Sequence, residues 1–192
     1  MPVQVFTEPA KGRTCGGCTM CCKVLGITEL QKPVGKWCPH CDIGKGCKIY
    51  ETRPQECRTF HCAWLVDDRF SDIWKPDHSK IVVTTGQDGN SVEFRCDPGS
   101  PAAWRSKVYH DEIIRMAVAA EPHDGSIYVI VGNKNTLVTP TAEFPLGEVP
   151  EDHVIVKEMS GQRVTGVKVV TRAEFQKLND AGGAYLRHSK GL

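Results

Sequence analysis

The sequence has no long apolar segment and no excess of charge of one sign. No stretch approaches the roughly 20 apolar residues that a membrane-spanning helix requires, and the N-terminal MPVQVFTEPAKGRTC lacks the apolar run of a signal peptide. Lys and Arg together number 24 and Asp and Glu 23, so no overall field attracts nucleic acid or an anionic membrane. We therefore expect a cytoplasmic protein with neither a membrane nor a nucleic acid as its partner.

The motifs of several enzyme classes are also missing. The sequence contains no G-x-S-x-G, no Walker A string and no G-x-G-x-x-G. His110 and Glu112 spell the H-x-E of zinc deaminases, but in those enzymes a C-x-x-C follows the H-x-E, whereas here the C-x-x-C motifs precede it. No catalytic residue is identified, and the chain is not predicted to be an enzyme by itself.

Cysteine, in contrast, is abundant and unevenly distributed. The chain has 10 cysteines, all of which precede residue 63 except Cys96. In a reducing compartment a dense cysteine cluster is more often a set of metal ligands than a disulfide framework, which would be expected only after export. A lone cysteine is usually a small buried hydrophobe, and we expect this of Cys96.

The spacing of the clustered cysteines indicates metal ligation. Cys15 and Cys18 enclose two glycines, and Cys38 and Cys41 enclose Pro-His, so both pairs have the C-x-x-C spacing of a metal knuckle. The candidate ligands are Cys15, Cys18, Cys21, Cys22, Cys38, Cys41, Cys47, Cys57 and Cys62.

Cys21 and Cys22 are adjacent, and neighbouring side chains on a helix diverge by about 100°. They are therefore not expected to be simple ligands of one tetrahedral ion, and either serve two centres or include a spare thiol. If residues 18–22 are helical, Cys18 and Cys22 share a face and Cys21 points elsewhere.

The number of thiols leaves several kinds of centre open. One tetrahedral site uses four ligands and two sites use eight, so paired mononuclear sites, a bridged binuclear site and an iron–sulfur cluster with extra thiols all fit. Thiolate ligation suits zinc, iron–sulfur clusters and cuprous copper, and the glycine-containing knuckle favours zinc slightly. Residues 11–62 also contain more Lys and Arg than Asp and Glu, which would offset thiolate charge. We therefore predict zinc or iron, in one or two metal centres.

These cysteines lie in a recognisable pattern. CGGCTMCC, the pair Cys38-Pro39 and the string GCKIYETRPQECRTF resemble the CxxCxxCC cysteine-cluster family, described as a zinc- or iron-chelating domain. The resemblance covers residues 15–62 and implies metal chelation by Cys15, Cys18, Cys21, Cys22, Cys38, Cys47 and Cys57. It also implies supporting roles for Tyr50, Arg53, Pro54 and Arg58. Cys41 and Cys62 lie outside this pattern, and a further ligand pair or second site would use them.

Two histidines lie next to cysteines. His40 and His61 are expected to support the ligands or to be exposed, with direct ligation as the alternative, because mixed Cys and His sites are common for zinc. Arg53 and Arg58 are expected either to fold over the site or to pair with Glu51 and Glu56.

The remaining pattern predicts an α+β fold, with a metal-stapled module over residues 1–76 and a mostly antiparallel sheet with one long helix over 77–192. A short helix is predicted near Cys18, and TRPQECRTFHCAWL reads as a second helix capped by Thr52. IVVTTG and SVEFRC flank an Asp-Gly turn and predict a hairpin. The segment WRSKVYHDEIIRMAVAAE predicts the long helix, with an apolar face that contains Val108, Ile113, Ile114, Ala117 and Val118. Further strands are predicted in IYVIVG, NTLVTP, HVIVKEM and RVTGVKVVT, and a last helix, capped by Thr171, in RAEFQKLND.

Three functions remain open on this sequence. The first is a cytoplasmic protein that chelates zinc or iron, whose metal contributes folding energy to a segment with few aliphatic residues. The second is an iron–sulfur redox protein or a cluster-dependent enzyme, favoured by the adjacent cysteines. The third is a zinc-ribbon-like module that recognises nucleic acid or protein, for which stacking aromatic residues are sparse. The sequence does not indicate a protein partner.

Overall fold

The computed structural model describes residues 8–86, 88–180 and 186–189. The fold is α+β with antiparallel strand pairing and one long helix, which confirms the predicted class. The described α-helices are α1 (Met20–Val24), α2 (Gln55–Thr59), α3 (Ala63–Val66), α4 (Pro76–Ser79), α5 (Lys107–Ala120) and α6 (Arg172–Asp180). No helix in this part of the chain is long and apolar enough to cross a membrane.

The strands form three sheets. The described strands are β1 (Cys41–Asp42), β2 (Gly46–Cys47), β3 (Ile81–Thr85), β4 (Ser91–Cys96), β5 (Ser126–Val131), β6 (Lys134–Val138), β7 (Glu143–Gly147), β8 (His153–Ser160), β9 (Arg163–Thr171) and β10 (Leu186–Ser189). The hairpin β1-β2 stands alone, β3 to β7 follow one another in a five-stranded sheet, and β8 is the middle strand between β10 and β9. The pairs β1-β2, β5-β6, β6-β7, β8-β9 and β8-β10 are antiparallel.

The described chain divides into two compact units. The cysteine-containing unit comprises the described residues of 4–84 and 94–109, and the sheet unit comprises those of 85–93 and 110–192. In the sheet unit Tyr128, Ile130, Leu137 and Ile155 form a buried cluster. Each of these residues lies on a strand rich in β-branched or aromatic residues, which suits a half-buried sheet.

Strand β7 is not expected from the sequence, because Pro145 lies within it. It is the last strand of its sheet, where proline is tolerated because one side of the strand has no partner to receive an N–H. Phe144 and Leu146 on this strand pack against the core of the sheet unit.

The long helix α5 lies within the predicted segment, but its buried stripe is narrower than expected. Ile113 and Ala117 are buried, whereas Val108 and Val118 are 48% and 54% exposed. Helix α6 is capped as predicted. Thr171 Oγ1 accepts from Glu174 N at 3.1 Å and Glu174 Oε2 accepts from Thr171 N at 2.8 Å, a reciprocal capping box.

The predicted helix over TRPQECRTFHCAWL is wrong, because the structure has two short helices there. Thr52 ends a turn of 3₁₀ helix and caps nothing, α2 begins after Pro54, and the chain is extended at Phe60 and Cys62. Both of these side chains pack against one cluster formed by Met20, Val24 and Val82. Residues two apart on a continuous helix diverge by about 200°, so only an extended segment directs both to the same cluster.

Trp74 is the centre of the aromatic core of the cysteine-containing unit. It is 2% exposed, and its ring centroid lies 5.2 Å from that of Phe94, 5.1 Å from that of Tyr109 and 6.0 Å from that of Phe70. These tilted and edge-on arrangements are the favourable ones for aromatic rings.

We predict that Trp74→Ala lowers the free energy of unfolding by about 3–5 kcal/mol, because it removes a buried indole and leaves a cavity. The neighbouring Ile73, which is 38% exposed, provides the control. Ile73→Ala should cost about 1 kcal/mol or less. Urea denaturation followed by circular dichroism measures both, and equal losses would contradict the assignment of Trp74 to the core.

Candidate metal centre

Four cysteines belong to or pack against one small buried cluster in the cysteine-containing unit. Cys38 and Cys41 are buried with Ile27, and Cys22 and Cys57 pack against them. We call Cys22, Cys38, Cys41 and Cys57 the first cysteine group. Leu30 and Trp37 also contact this cluster, so the thiols lie in apolar surroundings.

The main chain brings this group together from distant parts of the sequence. Cys38 N donates to the carbonyl of Cys22 at 3.0 Å, and Cys41 N donates to the carbonyl of Cys38 at 3.0 Å, which closes the predicted C-P-H-C turn. The β1-β2 hairpin then pairs Cys41 with Cys47. A fifth cysteine, Cys47, therefore lies beside the first group.

Burial and mutual contact favour the protonated form of Cys22, Cys41 and Cys57. Burial raises the pKa of Cys41 to about 11, with a further contribution from Cys22. A side-chain hydrogen bond with Cys21, together with burial, raises the pKa of Cys22. Burial and the neighbouring Cys22 and Cys38 likewise raise the pKa of Cys57. Because a metal ion binds thiolates, metal uptake by these groups at neutral pH must displace protons.

A buried lysine lies beside the first cysteine group. Lys32 is 6% exposed, and its Nζ donates to the carbonyl of Lys23 at 3.0 Å and to that of Leu25, at the end of α1. Burial lowers the pKa of Lys32, while Cys38 and Cys22 act in the opposite direction. A cation in this position favours the deprotonated form of nearby thiols.

Three other cysteines of the N-terminal segment form a different group. Cys18 and Cys62 pack against the Met20, Val24 and Val82 cluster, apart from Ile27. Burial raises the pKa of Cys62 to about 11, and Cys15 and Cys18 add to this effect. We call Cys15, Cys18 and Cys62 the second cysteine group.

The condition under which Cys18 and Cys22 would share a helical face, a helix over residues 18–22, is not met. Helix α1 begins at Met20 with Thr19 as its N-cap, so Cys18 precedes the helix. Cys18 packs in one cluster and Cys22 in the other. The sequence suggests that the thiols fall into more than one group. In the structure Cys18 and Cys22 are separated because Cys18 precedes the helix and Cys22 lies within it.

The two glycines of C-G-G-C have separate structural roles. Gly16 adopts a positive φ of 51°, which glycine takes without steric cost. At Gly17 a Cβ would lie 2.5 Å from the carbonyl oxygen of Gly44, which precedes β2. Gly44 N also donates to Thr19 Oγ1 at 3.2 Å, so the first knuckle is fastened against the β1-β2 hairpin.

The supporting residues suggested by the resemblance bind one another. Arg53 lies 3.7 Å from the centroid of the Tyr50 ring and donates to the carbonyl of Tyr50 at 2.9 Å. Arg58 Nε donates to the carbonyl of Arg53 at 2.9 Å, and its Nη2 donates to the carbonyl of Glu51. The two arginines thus brace the chain between Tyr50 and Arg58.

Three further residues named from the sequence are placed as follows. His40 and His61 are half-buried, and the carbonyl of His40 accepts from Lys48 N at 2.8 Å. Cys96 is 1% exposed, and burial raises its pKa to about 12. Cys96 is therefore the small buried hydrophobe that the sequence predicts.

One residue near the second cysteine group is not signalled by the sequence. Asp77, in α4, lies close to Cys18, and its backbone N–H is directed at the sulfur of Cys18. Its position depends on the tertiary packing of α4 beside α1, and no local spacing in the sequence indicates it.

No three Cys, His, Asp or Glu side chains stand ready to hold a metal ion in the described residues. The chemistry of the donors nevertheless fits a thiophilic metal, because each cysteine group is composed of thiols drawn together by packing. Because a preformed metal site rarely exists in an unfolded chain, binding of the ion is coupled to folding of its ligands.

The sheet unit contains a small cleft with a buried amine. Lys157 and Ser126 line it with Leu137 and Ala117. Lys157 Nζ donates to Ser126 Oγ at 2.5 Å and to the carbonyl of Gly125 at 3.4 Å. Burial lowers the pKa of Lys157. These contacts satisfy the amine within the fold, and we assign the cleft no chemical role.

We predict that Gly17→Ala lowers the free energy of unfolding by about 1–3 kcal/mol, because the added methyl group meets backbone that must shift. Gly26→Ala is the control, since the nearest atom to its Cβ would be Cγ2 of Val34 at 3.4 Å, an ordinary contact distance. Thermal unfolding measures both variants. A Gly17→Ala protein as stable as the control would show that the knuckle and the hairpin are not in contact.

Comparison with protein families, with curated proteins and with solved structures finds no match for this chain.

Proposed function

We propose that this protein binds zinc or iron in the cytoplasm through the cysteine thiolates of its N-terminal segment. The observation that carries the proposal is the packing of Cys22 and Cys57 against the buried cluster of Ile27, Cys38 and Cys41. These four cysteines come from three separate stretches of the chain, and local spacing alone would not bring them together.

The way this segment is built supports a role for a metal in its stability. Its helices α1, α2 and α3 have 5, 5 and 4 residues, and hairpin strands β1 and β2 have 2 each. Helices of this length are marginal in water on their own. A metal that joins the thiols would supply folding energy, as structural zinc does in small domains.

The choice between zinc and iron follows from ligand chemistry. All-thiolate ligation suits zinc and iron–sulfur clusters alike, and the Gly-Gly knuckle between Cys15 and Cys18 favours zinc slightly.

The second candidate function is an iron–sulfur redox protein or cluster-dependent enzyme. The observation that favours it is the hydrogen bond between the adjacent thiols of Cys21 and Cys22, which adds donors beyond the four that one ion needs.

The proposal predicts that Cys15→Ser and Cys57→Ser lower the metal content of the purified protein and reduce the hydrogen-exchange protection of residues 15–62. Cys96→Ser should do neither, because Cys96 lies away from both cysteine groups in the apolar interior. Metal analysis and hydrogen exchange on the anaerobically purified variants measure these effects. Unchanged metal content in both Cys15→Ser and Cys57→Ser would contradict the assignment of these cysteines as metal ligands.

The same preparation distinguishes the two candidate functions. Colourless protein with zinc would support structural or chelating metal binding. Brown protein with matched iron and acid-labile sulfide would instead support the iron–sulfur alternative.

We also predict that Lys32→Met weakens zinc affinity about tenfold without changing the number of ions bound. Removing a buried cation beside the thiols disfavours their ionised form, and loss of groups that support metal ligands typically costs 10- to 100-fold. The control is Lys36→Met, since Lys36 is exposed. Competition with a chromophoric chelator measures both affinities, and equal affinities would exclude this electrostatic role of Lys32.

A further inference from the structure

We propose that the cysteines serve two separate metal centres, of which the second is held by Cys15, Cys18, Cys62 and the carboxylate of Asp77. This inference rests on the proposed metal-binding function and goes beyond it by assigning the ligands. Cys62 lies outside the family resemblance, and Asp77 has no counterpart in any cysteine motif.

The first observation is the separation of the packing clusters. Cys18 and Cys62 contact Met20, Val24 and Val82, while the first cysteine group contacts Ile27. Cys18 N donates to the carbonyl of Cys15 at 2.9 Å, so the knuckle turn keeps Cys15 next to Cys18. Cys15 is exposed and interacts electrostatically with Cys18 and Cys62, and also with Cys22.

The second observation is the fastening of the chain before Cys15 to the chain after Cys62. The guanidinium of Arg13 donates to the carbonyls of Asp67 at 2.8 Å and Phe70 at 2.7 Å, and also to that of Trp64. Ala10 N donates to the carbonyl of Leu65 at 2.8 Å. These bonds hold two remote segments side by side, so that Cys15 and Cys62 approach each other.

The third observation is an unsatisfied oxygen. Asp77 Oδ1 is buried and has no hydrogen-bond partner among the described residues. Nε2 of His78 lies 3.9 Å from this oxygen, which is too far for a hydrogen bond. Its other oxygen, Oδ2, lies 3.3 Å from Lys75 Nζ. An unpaired buried carboxylate oxygen is costly, and coordination to a cation would satisfy it.

The surroundings of the sulfurs suit thiolate ligands. Backbone N–H groups of Met20 and Asp77 point at the sulfur of Cys18, and that of Leu65 points at the sulfur of Cys62. Such donors orient ligands and stabilise their negative charge. The positive charges of Arg53 and Lys75 act on Cys15 and offset the anionic donors.

The resulting donor set contains three sulfurs and one oxygen. Zinc takes Cys and Asp ligands in tetrahedral sites, and ferrous iron accepts the same donors. The remaining thiols, Cys21, Cys22, Cys38, Cys41, Cys47 and Cys57, supply more than the four ligands that a separate first centre needs. We infer that both centres close around their ions as the metal binds.

The test is the metal stoichiometry of the whole chain, reduced, stripped of metal and titrated in separate samples with zinc, with ferrous iron and with cobalt. The unmodified protein should bind two ions per chain, and Cys62→Ser and Cys57→Ser should each bind one. Asp77→Asn should retain two ions but bind one of them at least about tenfold more weakly. Cobalt–thiolate charge-transfer absorption should fall in Cys62→Ser and stay unchanged in Asp77→Asn. Cys96→Ser is the control and should match the unmodified protein.

The outcomes separate this inference from the proposed function. If the unmodified protein binds neither zinc nor iron, the proposed function fails. If it binds metal and Cys62→Ser binds the same amount, metal binding stands and the second centre is wrong. Loss of all metal from a folded Cys62→Ser protein would show one connected centre and would also overturn the inference. Asp77→Asn keeps the carboxylate question testable even if Cys62→Ser does not fold, since unchanged affinity would remove Asp77 from the ligands.

Discussion

Contact between thiols and a few apolar side chains is the interaction on which the N-terminal half of this protein depends. In residues 15–62 the sequence has few aliphatic runs, and sulfur fills the positions that leucine or valine would take in an ordinary core. Ile27 is buried together with Cys38 and Cys41, Cys22 and Cys57 pack against this cluster, and Met20, Val24 and Val82 are covered in part by two other cysteines. The elements in between are too short to be stable alone, so the packing of this region and the chemistry of its cysteines are inseparable.

Main-chain contacts give these small clusters their positions. Gly17 lets the first knuckle approach the carbonyl of Gly44, and Arg13 ties the chain before the knuckle to the chain after α3. Neither contact is part of a sheet ladder or a long helix. They are specific anchors, and they explain how a segment with little regular structure can hold its thiols in two defined groups.

Much of the regular structure could be predicted from the sequence because its signals are local. The Thr171 and Glu174 capping box, the β-branched strands and the long uninterrupted helix α5 all depend on neighbouring residues. The failures come from tertiary packing. Phe60 and Cys62 break a predicted helix because both turn to one cluster, and strand β7 is obscured by Pro145, which an edge strand tolerates.

The candidate site shows the same division. The C-x-x-C pairs and the density of cysteines before residue 63 identify the candidate ligands, since both are local features. They do not show which thiols meet, because Cys22 and Cys57 pack against the cluster of Ile27, Cys38 and Cys41 only after the chain has folded. Lys32 and Asp77 could not be identified as neighbours of the thiols from local sequence for the same reason. Their roles depend on burial and on the carbonyl or sulfur atoms that surround them.

The high pKa values of these thiols have a consequence for the metal-free chain. The thiolate is the form that attacks peroxides and disulfides. With the pKa of Cys41 and of Cys62 raised to about 11 by burial, only a very small fraction of each is ionised at neutral pH. In the folded chain these two thiols therefore react slowly with oxidants, so the packing that gathers them also protects them from oxidation.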